Sequence, residues 1–356
     1  MFYKNNFKIS YLFLFIFVLS ISTTLNTSLY ANSLNITDIE VSDDFDLNFN
    51  KRRVFDKGFK AAFDQLTSTI ITSGDKTKIK RTNLSTIKSL INSFNISDEN
   101  FINEKYYAKI DVNFNKKKTY KYFESKNIFP SIPKKINLLL LPILIDKNQE
   151  GIVYFSESPI YENWNEDIKK YHLLNYILPT EDIDDRKIFD MKIEFIEEYD
   201  FQEIIEKYDL KDYIILIVNQ NKNTINILSK LQLNKSYKIF NFSYENISLY
   251  NEKDLKKLIN DLKNSFEDEW KKLNLINTSI KLPITASLSS INFEKTKLFE
   301  ETLNNLDLVS NFEVLSFNNK DIFYKIIYNG SPDKFIKEIK ASGLDIVKED
   351  QLWKVQ

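Results

Sequence analysis

His172 is the only histidine in this chain, and there is no cysteine. A Ser-His-Asp relay or an imidazole-ligated metal would have to run through that single ring. It stands in Lys169-Lys170-Tyr171-His172-Leu173, where polar sequence turns apolar, and no Gly-x-Ser-x-Gly elbow occurs anywhere. The setting predicts a surface or interface histidine. The lack of cysteine removes disulfides, thiolate zinc sites, iron–sulfur clusters, cysteine nucleophiles and a lipid-modified N-terminal cysteine. With only 5 glycines, no phosphate-cradling loop can be written.

Carboxylates are the remaining source of chemistry. Glu181, Asp182, Asp184 and Asp185 form a cluster whose oxygens could take Ca²⁺. The glycine and distal glutamate of an EF-hand are missing, so a solvated loop or a helix-capping turn is expected. Asp43, Asp44 and Asp46 read as a flexible polar lead-in. A glycosidase would need two acids held about 5 to 10 Å apart. Among 50 acids some pair must meet that condition, so the count carries no information. Lys51-Arg52-Arg53 and Lys116-Lys117-Lys118 are the densest basic runs, both at expected helix starts, where positive charge opposes the helix dipole. They read as solvated faces, with contact to anionic lipid or a partner as the alternative. Tyr106, Tyr107, Tyr120 and Tyr122 could line a groove, but their spacing fits a core. No residue is assigned a catalytic, cofactor-binding or metal-ligating role, and no cofactor is expected.

The N-terminus predicts where the chain works. Lys4 and Lys8 precede the apolar run Ile9–Ile21, and Ser- and Thr-rich sequence leads to Ala31. A basic start, a short apolar run and a small residue describe a secretory signal peptide over residues 1–31, hence a periplasmic protein. Leu29, at the −3 position of that cut, fits the small-x-small rule poorly, so an uncleaved inner-membrane anchor is the alternative. That segment is also the expected place of any peripheral membrane contact. The formal net charge is −1, and cutting the signal removes two lysines and no acid. Such a balance gives no concentrated positive field for nucleic acid. None of these patterns sets an oligomeric state.

The elements that would carry these residues fall into three segments, at 32–130, 134–276 and 277–356. In the first, a strand at Leu34–Val41 precedes an amphipathic helix over Lys51–Ile71, with Phe55, Phe59, Ala62, Phe63, Leu66 and Ile70 on one face. A second helix is expected near Asn83–Phe94. Lys105–Asn115 then alternates as a half-buried strand, and Thr119–Lys126 reads as a short helix. Two prolines in Ile128–Pro133 mark a linker. The second segment opens with Ile136–Ile145, a continuous apolar run that fits a strand covered on both faces, in which Pro142 suggests an edge or a bulge. Asp146–Lys192 reads as irregular. A helix at Asp200–Tyr208, a strand meander through Tyr244 and a long helix over Lys253–Leu273, capped by Asn251, complete it. The third alternates strand, helix, strand, strand, helix, strand, the split βαβ or ferredoxin-like order. It predicts a four-stranded antiparallel sheet, with Phe293, Leu298, Leu303, Phe335 and Ile339 buried against Ile284, Val314, Ile326 and Ile346. The fold class is α+β, three small α/β modules in series.

In order and spacing these landmarks resemble the bacterial domain-of-unknown-function 2066 family, over residues 35 to 350. The residues that carry the likeness are the helix Lys60-Ala61-Ala62-Phe63-Asp64-Gln65-Leu66, Ser73-Gly74, the Tyr106-Tyr107-Ala108 strand, Leu139-Leu140-Leu141-Pro142, Trp164, and Leu178-Pro179-Thr180-Glu181-Asp182-Ile183-Asp184-Asp185. Thr180-Glu181 departs from the family's usual glycine before the first Asp, and a second tryptophan near Trp164 is missing. The resemblance implies an exported envelope protein with no established enzymatic activity, and it transfers no catalytic residue. By order of elements alone, the middle segment also looks like TolB N-terminal and curli-secretion lipoprotein modules. The expectation is a non-enzymatic periplasmic protein that acts through contacts with envelope proteins, as an interaction or scaffold component in envelope assembly or maintenance. The alternatives are a carboxylate-dependent hydrolase of envelope polymers, resting on Asp182, Asp184 and Asp185, and a small-ligand or lipid-binding module.

Overall fold

The structure, a computed structural model, describes residues 34–146, 151–154, 157–180 and 182–356. The expected signal segment and Glu181 lie outside the described residues. Three sheets follow one another along the chain, each with its own helices.

The first sheet has strand order β1-β3-β2, formed by β1 (Asn35–Asp44), β2 (Ile91–Ile102) and β3 (Lys105–Phe114), all antiparallel. Helix α1 (Lys51–Ile70) starts at Asn50, whose side chain accepts from the N–H groups of Arg52 and Arg53. It lays Phe59, Ala62, Phe63 and Leu66 into the core. Gly58 allows the close approach, because a Cβ there would meet Ile110 Cδ1 at 2.4 Å. Short helices α2 (Ser73–Ile79) and α3 (Leu84–Leu90) follow. The helix expected to reach Phe94 stops at Leu90. From Ile91 onward the chain pairs with β3, beginning opposite Phe114, and that ladder overrides the local 3.6-residue spacing of Phe94. Helix α4 (Lys116–Glu124), capped by Asn115, closes the unit.

The middle sheet combines β4 (Ile136–Asp146), β5 (Gly151–Val153), β6 (Leu174–Ile177), β7 (Tyr213–Asn221), β8 (Thr224–Leu233) and β9 (Ser236–Glu245). Its order is β5-β4-β7-β8-β9, with β6 also on β4. Strand β4 runs parallel to β7 along one side, and on the other meets β6 at Ile136–Leu139 and β5 at Leu144–Asp146. Pro142 falls in the gap between those two partners. Ile136 donates to Leu173 O on that side, and residues of the same parity point the same way, so the N–H that proline lacks would have had no strand to bond. The segment expected to be irregular instead holds β5, β6, α5 (Pro159–Asn163) and α6 (Ile183–Lys192); these pieces are too short to show a period. Helix α7 (Gln202–Glu206) and α8 (Glu252–Leu273) complete the module. Both faces of the sheet are covered, by Phe266, Trp270 and Trp164 on one side and Phe189, Phe201 and Ile204 on the other. That is why β4 reads as an unbroken apolar run.

The last sheet departs from the expected four strands. It has five, in the order β11-β12-β10-β14-β13, from β10 (Leu282–Ser289), β11 (Val309–Phe317), β12 (Asp321–Tyr328), β13 (Ile346–Glu349) and β14 (Leu352–Val355). The C-terminal hairpin inserts β14 parallel to β10 and moves β13 to the edge. Helices α9 (Phe293–Asn305) and α10 (Pro332–Ala341) serve it. Leu303, Phe335, Ile339, Ile284, Ile326 and Ile346 are buried as expected. Phe293, Leu298 and Val314 are exposed, Phe293 at 77%. The face of α9 is set by Phe299, Thr302 and Leu303, one position round the wheel from Leu298. Val314 stands opposite the buried Tyr324 and shares its face, but on the edge strand β11 it stays open to solvent.

In space the first and last modules share one apolar core that runs from Phe63, Phe114 and Phe123 through Ile128 and Ile276 to Tyr328 and Phe335. The middle module is inserted between them on two antiparallel connectors. Ile132 N–H donates to Asn274 O, Ile276 N–H to Pro130 O, and Ser131 bridges Leu275. Paired connectors of this kind restrain the inserted module more than one linker would.

Candidate functional site

A cavity of about 690 Å³ opens where α1 and α2 of the first module meet α8 of the middle one. Its walls come from an amphipathic accident of α8. The apolar stripe Leu255, Leu258, Leu262, Phe266, Trp270 has a neighbouring row at Lys263, Glu267 and Lys271, spaced four residues apart and equally buried. These charges sit under the module junction.

Each end of the row fixes something. Lys271 Nζ donates to Ser68 O at 2.5 Å and to Ile71 O at 3.2 Å, carbonyls at the C-terminal end of α1 that lie beyond its own helical bonding. Next to it, Asp268 accepts from Ser73 N–H at 2.8 Å and Ser73 Oγ at 2.5 Å, and so holds the first residue of α2. Lys76 donates to Ser68 Oγ. Glu267, 4% exposed, accepts from the N–H groups of Leu173 and Leu174 with one oxygen, both at 2.9 Å. Its other oxygen, Oε2, has no protein partner. Burial raises the Glu267 carboxyl above the usual range, against the pull of the Leu174 N–H and the Lys271 charge. Burial likewise depresses the Lys271 and Lys263 ammonium groups. Lys263 Nζ lies over the rings of Trp164 and Tyr176, 5.8 and 6.0 Å from their centres. The cleft therefore has a charged, buried floor, an apolar patch at Phe63, Ile71 and Ile79, and freer charges at Asp64 and Lys80 on its rim. Such an arrangement can bind; Lys271 and Asp268 hold the two modules in register, while Glu267 and Lys263 are held within the middle module.

His172 belongs to this neighbourhood. It is 9% exposed, its Nδ1 accepts weakly from Lys169 N–H, and it packs edge-on to Tyr171, which lines the cleft. Burial lowers its pKa to about 4, with Lys263 and Lys271 adding to the effect. It is thus an interface histidine held neutral.

The acidic cluster goes elsewhere. Asp182 caps α6, and Asp182 and the buried Asp185 converge on Lys207 at 2.9 and 2.5 Å, while Asp184 stands in solvent beside Lys187. Lys207 occupies the place a cation would take, and its pKa rises in response, chiefly through Asp185. No group of three or more acids, histidines or cysteines among the described residues is arranged to hold a metal ion. Asp43 is no loose lead-in: it lies in β1 opposite Tyr106 and takes Arg53 and Lys57. In the first basic run, Lys51 pairs with Glu99 at 2.6 Å, so two of its three cations are satisfied within the chain. Lys116 reaches Leu306 O across the junction with the last module, and burial lowers its pKa to about 8. Tyr106 and Tyr120 are core residues, whereas Tyr107 is exposed.

Sequence reasoning missed Glu267, Asp268 and Lys271. For Glu267 and Lys271 the signal was the i, i+4, i+8 row beside the apolar stripe, but polar residues flanking a stripe ordinarily face water. Among the described residues no helix is long and apolar enough to cross a membrane. A scan against protein-family models and a search of the curated proteins each return no match to this chain.

Proposed function

We propose that this chain is a non-enzymatic exported envelope protein that recognises a protein partner through the cleft between its first two modules. One observation carries the reading. Two modules are clamped by polar contacts, the buried Lys271 to α1 and the more exposed Asp268 to α2, around an open cavity of mixed charge. A site assembled before its partner arrives loses less entropy on binding. The likeness to the domain-of-unknown-function 2066 family, and the export signal it accompanies, supply the periplasmic setting and the envelope partner. The carboxylate-hydrolase alternative is weakened, since Lys207 holds two of its three named acids, Asp182 and Asp185, and Asp184 stands apart in solvent beside Lys187.

A photo-crosslinking residue at Asn264, exposed on the cleft wall, tests this in cells, with the same residue at Lys187 on α6 as control. A discrete adduct with an envelope protein from position 264 alone is the expected result. Identical adducts from both positions, or none from 264, would overturn it.

A further inference from the structure

An edge strand presents a row of unpaired N–H and C=O groups, and folded proteins blunt such edges with bulges, prolines, charges or short strands. Every other edge strand among the described residues is blunted. β1 breaks register between Ile36 and Ile39, β2 and β11 each shift twice, and β13, β5 and β6 are only 4, 3 and 4 residues long. β9 differs. It closes the middle sheet as a strand of 10 residues, matches β8 residue for residue without a bulge, and contains no proline. Its one lysine, Lys238, is held by Glu269 of α8 at 2.5 Å.

The hairpin turn fixes which residues look outward. Asn234 and Lys235 both have positive φ, 46° and 67°, in the two-residue turn whose flanking pair, Leu233 and Ser236, is hydrogen-bonded. The bonds to β8 therefore come from Ser236 and every second residue after it. Tyr237, Ile239, Asn241, Ser243 and Glu245 turn their backbone groups away from β8, and among the described residues no strand pairs with that side. Their side chains lie on the face away from α8, where Tyr237 and Ile239 are 52% and 54% exposed. Phe240, Phe242 and Tyr244 alternate with them and are half-buried against the core under α8.

We propose that β9 pairs antiparallel with β9 of a second copy about a two-fold axis at Asn241, joining two middle sheets edge to edge. The outward row has five members and Asn241 is the middle one, so this register pairs them all: Tyr237 with Glu245, Ile239 with Ser243, and Asn241 with its own counterpart. An axis one residue away, at Phe240, would leave Glu245 opposite the turn. On the α8 face Phe240 comes opposite Phe242, and Lys238 opposite Tyr244, whose phenol feels the negative charge of Asp261. Aromatic and opposite-charge neighbours support such pairing, and no like charges meet across it. This self-complementarity is what favours a second copy over a foreign strand.

The chain has no cysteine, so a single introduced one reports only its own neighbour. In cells producing the full chain, Asn241→Cys under copper–phenanthroline oxidation should give a disulfide-linked dimer, because facing residues of such a pair stand about 5.5 Å apart at Cα, within disulfide reach. Lys187→Cys, exposed on α6, should not. In the Asn241→Cys background, Tyr237→Glu sets carboxylates opposite each other twice about the axis and should cut the trapped fraction about three-fold or more. Tyr237→Lys meets the same Glu245 with opposite charge and should keep the parent yield. No dimer from position 241, equal yields from 241 and 187, or equal yields from the two position-237 variants would overturn the proposal. A disulfide from position 241 to a different protein alone would overturn it as well.

Discussion

Replacing Lys271 with Met tests the clamp between the first two modules. The substitution keeps most of the buried stem and removes the ammonium, and with it the bonds to Ser68 O and Ile71 O. Hydrogen bonds to a charged donor are worth about 1.5 to 3 kcal/mol each, and two carbonyls would be left under-satisfied at a buried helix end. Removing one member of a buried charged set costs about 3 to 5 kcal/mol, partly because the remaining charge loses its compensation. Here that charge is Glu267, already raised by burial and relieved by Lys271. The expected loss for Lys271→Met is therefore about 3 to 5 kcal/mol. It would be read as a lower urea midpoint at unchanged slope. Glu267→Gln keeps an oxygen for Leu173 and Leu174 and removes the charge, so alone it should be nearly neutral. In the double variant it should restore at least about 1 kcal/mol, because the two groups share one field. A loss under about 1 kcal/mol for Lys271→Met, or strict additivity in the double variant, would show that the buried row is incidental to the junction.

Three further outcomes follow from named contacts. His172 has a folded pKa of about 4 against an ordinary 6.5, so the unfolded chain takes up the proton first as pH falls. Its contribution is complete above pH 6.5 and is lost down to about pH 4, amounting to roughly 3 kcal/mol, and His172→Gln should flatten melting temperature between those limits. Gly58→Ala should cost about 1 to 3 kcal/mol in chemical denaturation, since its methyl would press on the buried Ile110. Phe335, fully buried against Tyr328 and Trp353, should cost about 3 to 5 kcal/mol as Ala, and a parent-like melt would show that α10 does not carry the last module's core.

What the sequence by itself determined was local. The stripe of α8, its Asn251 cap, the Ser331-Pro332 start of α10 and the alternation of β3 were all legible, because each is a short-range pattern with its own physical cause. The α+β class and the three sheets followed from those patterns in order. Tertiary structure decided what depends on distant partners. The chain leaves helix at Ile91 because β3 waits to pair with it, and β14 enters the last sheet because β10 offers a free edge. Pro142 is tolerated in a covered strand because two short partners stop on either side of it. The candidate site was hidden for the same reason. Lys263, Glu267 and Lys271 look like a solvated flank until Trp164 and Tyr176 meet the first, Leu173 and Leu174 the second, and α1, some two hundred residues earlier in the chain, the third. Burial is a property of what arrives from elsewhere, and no local period encodes it.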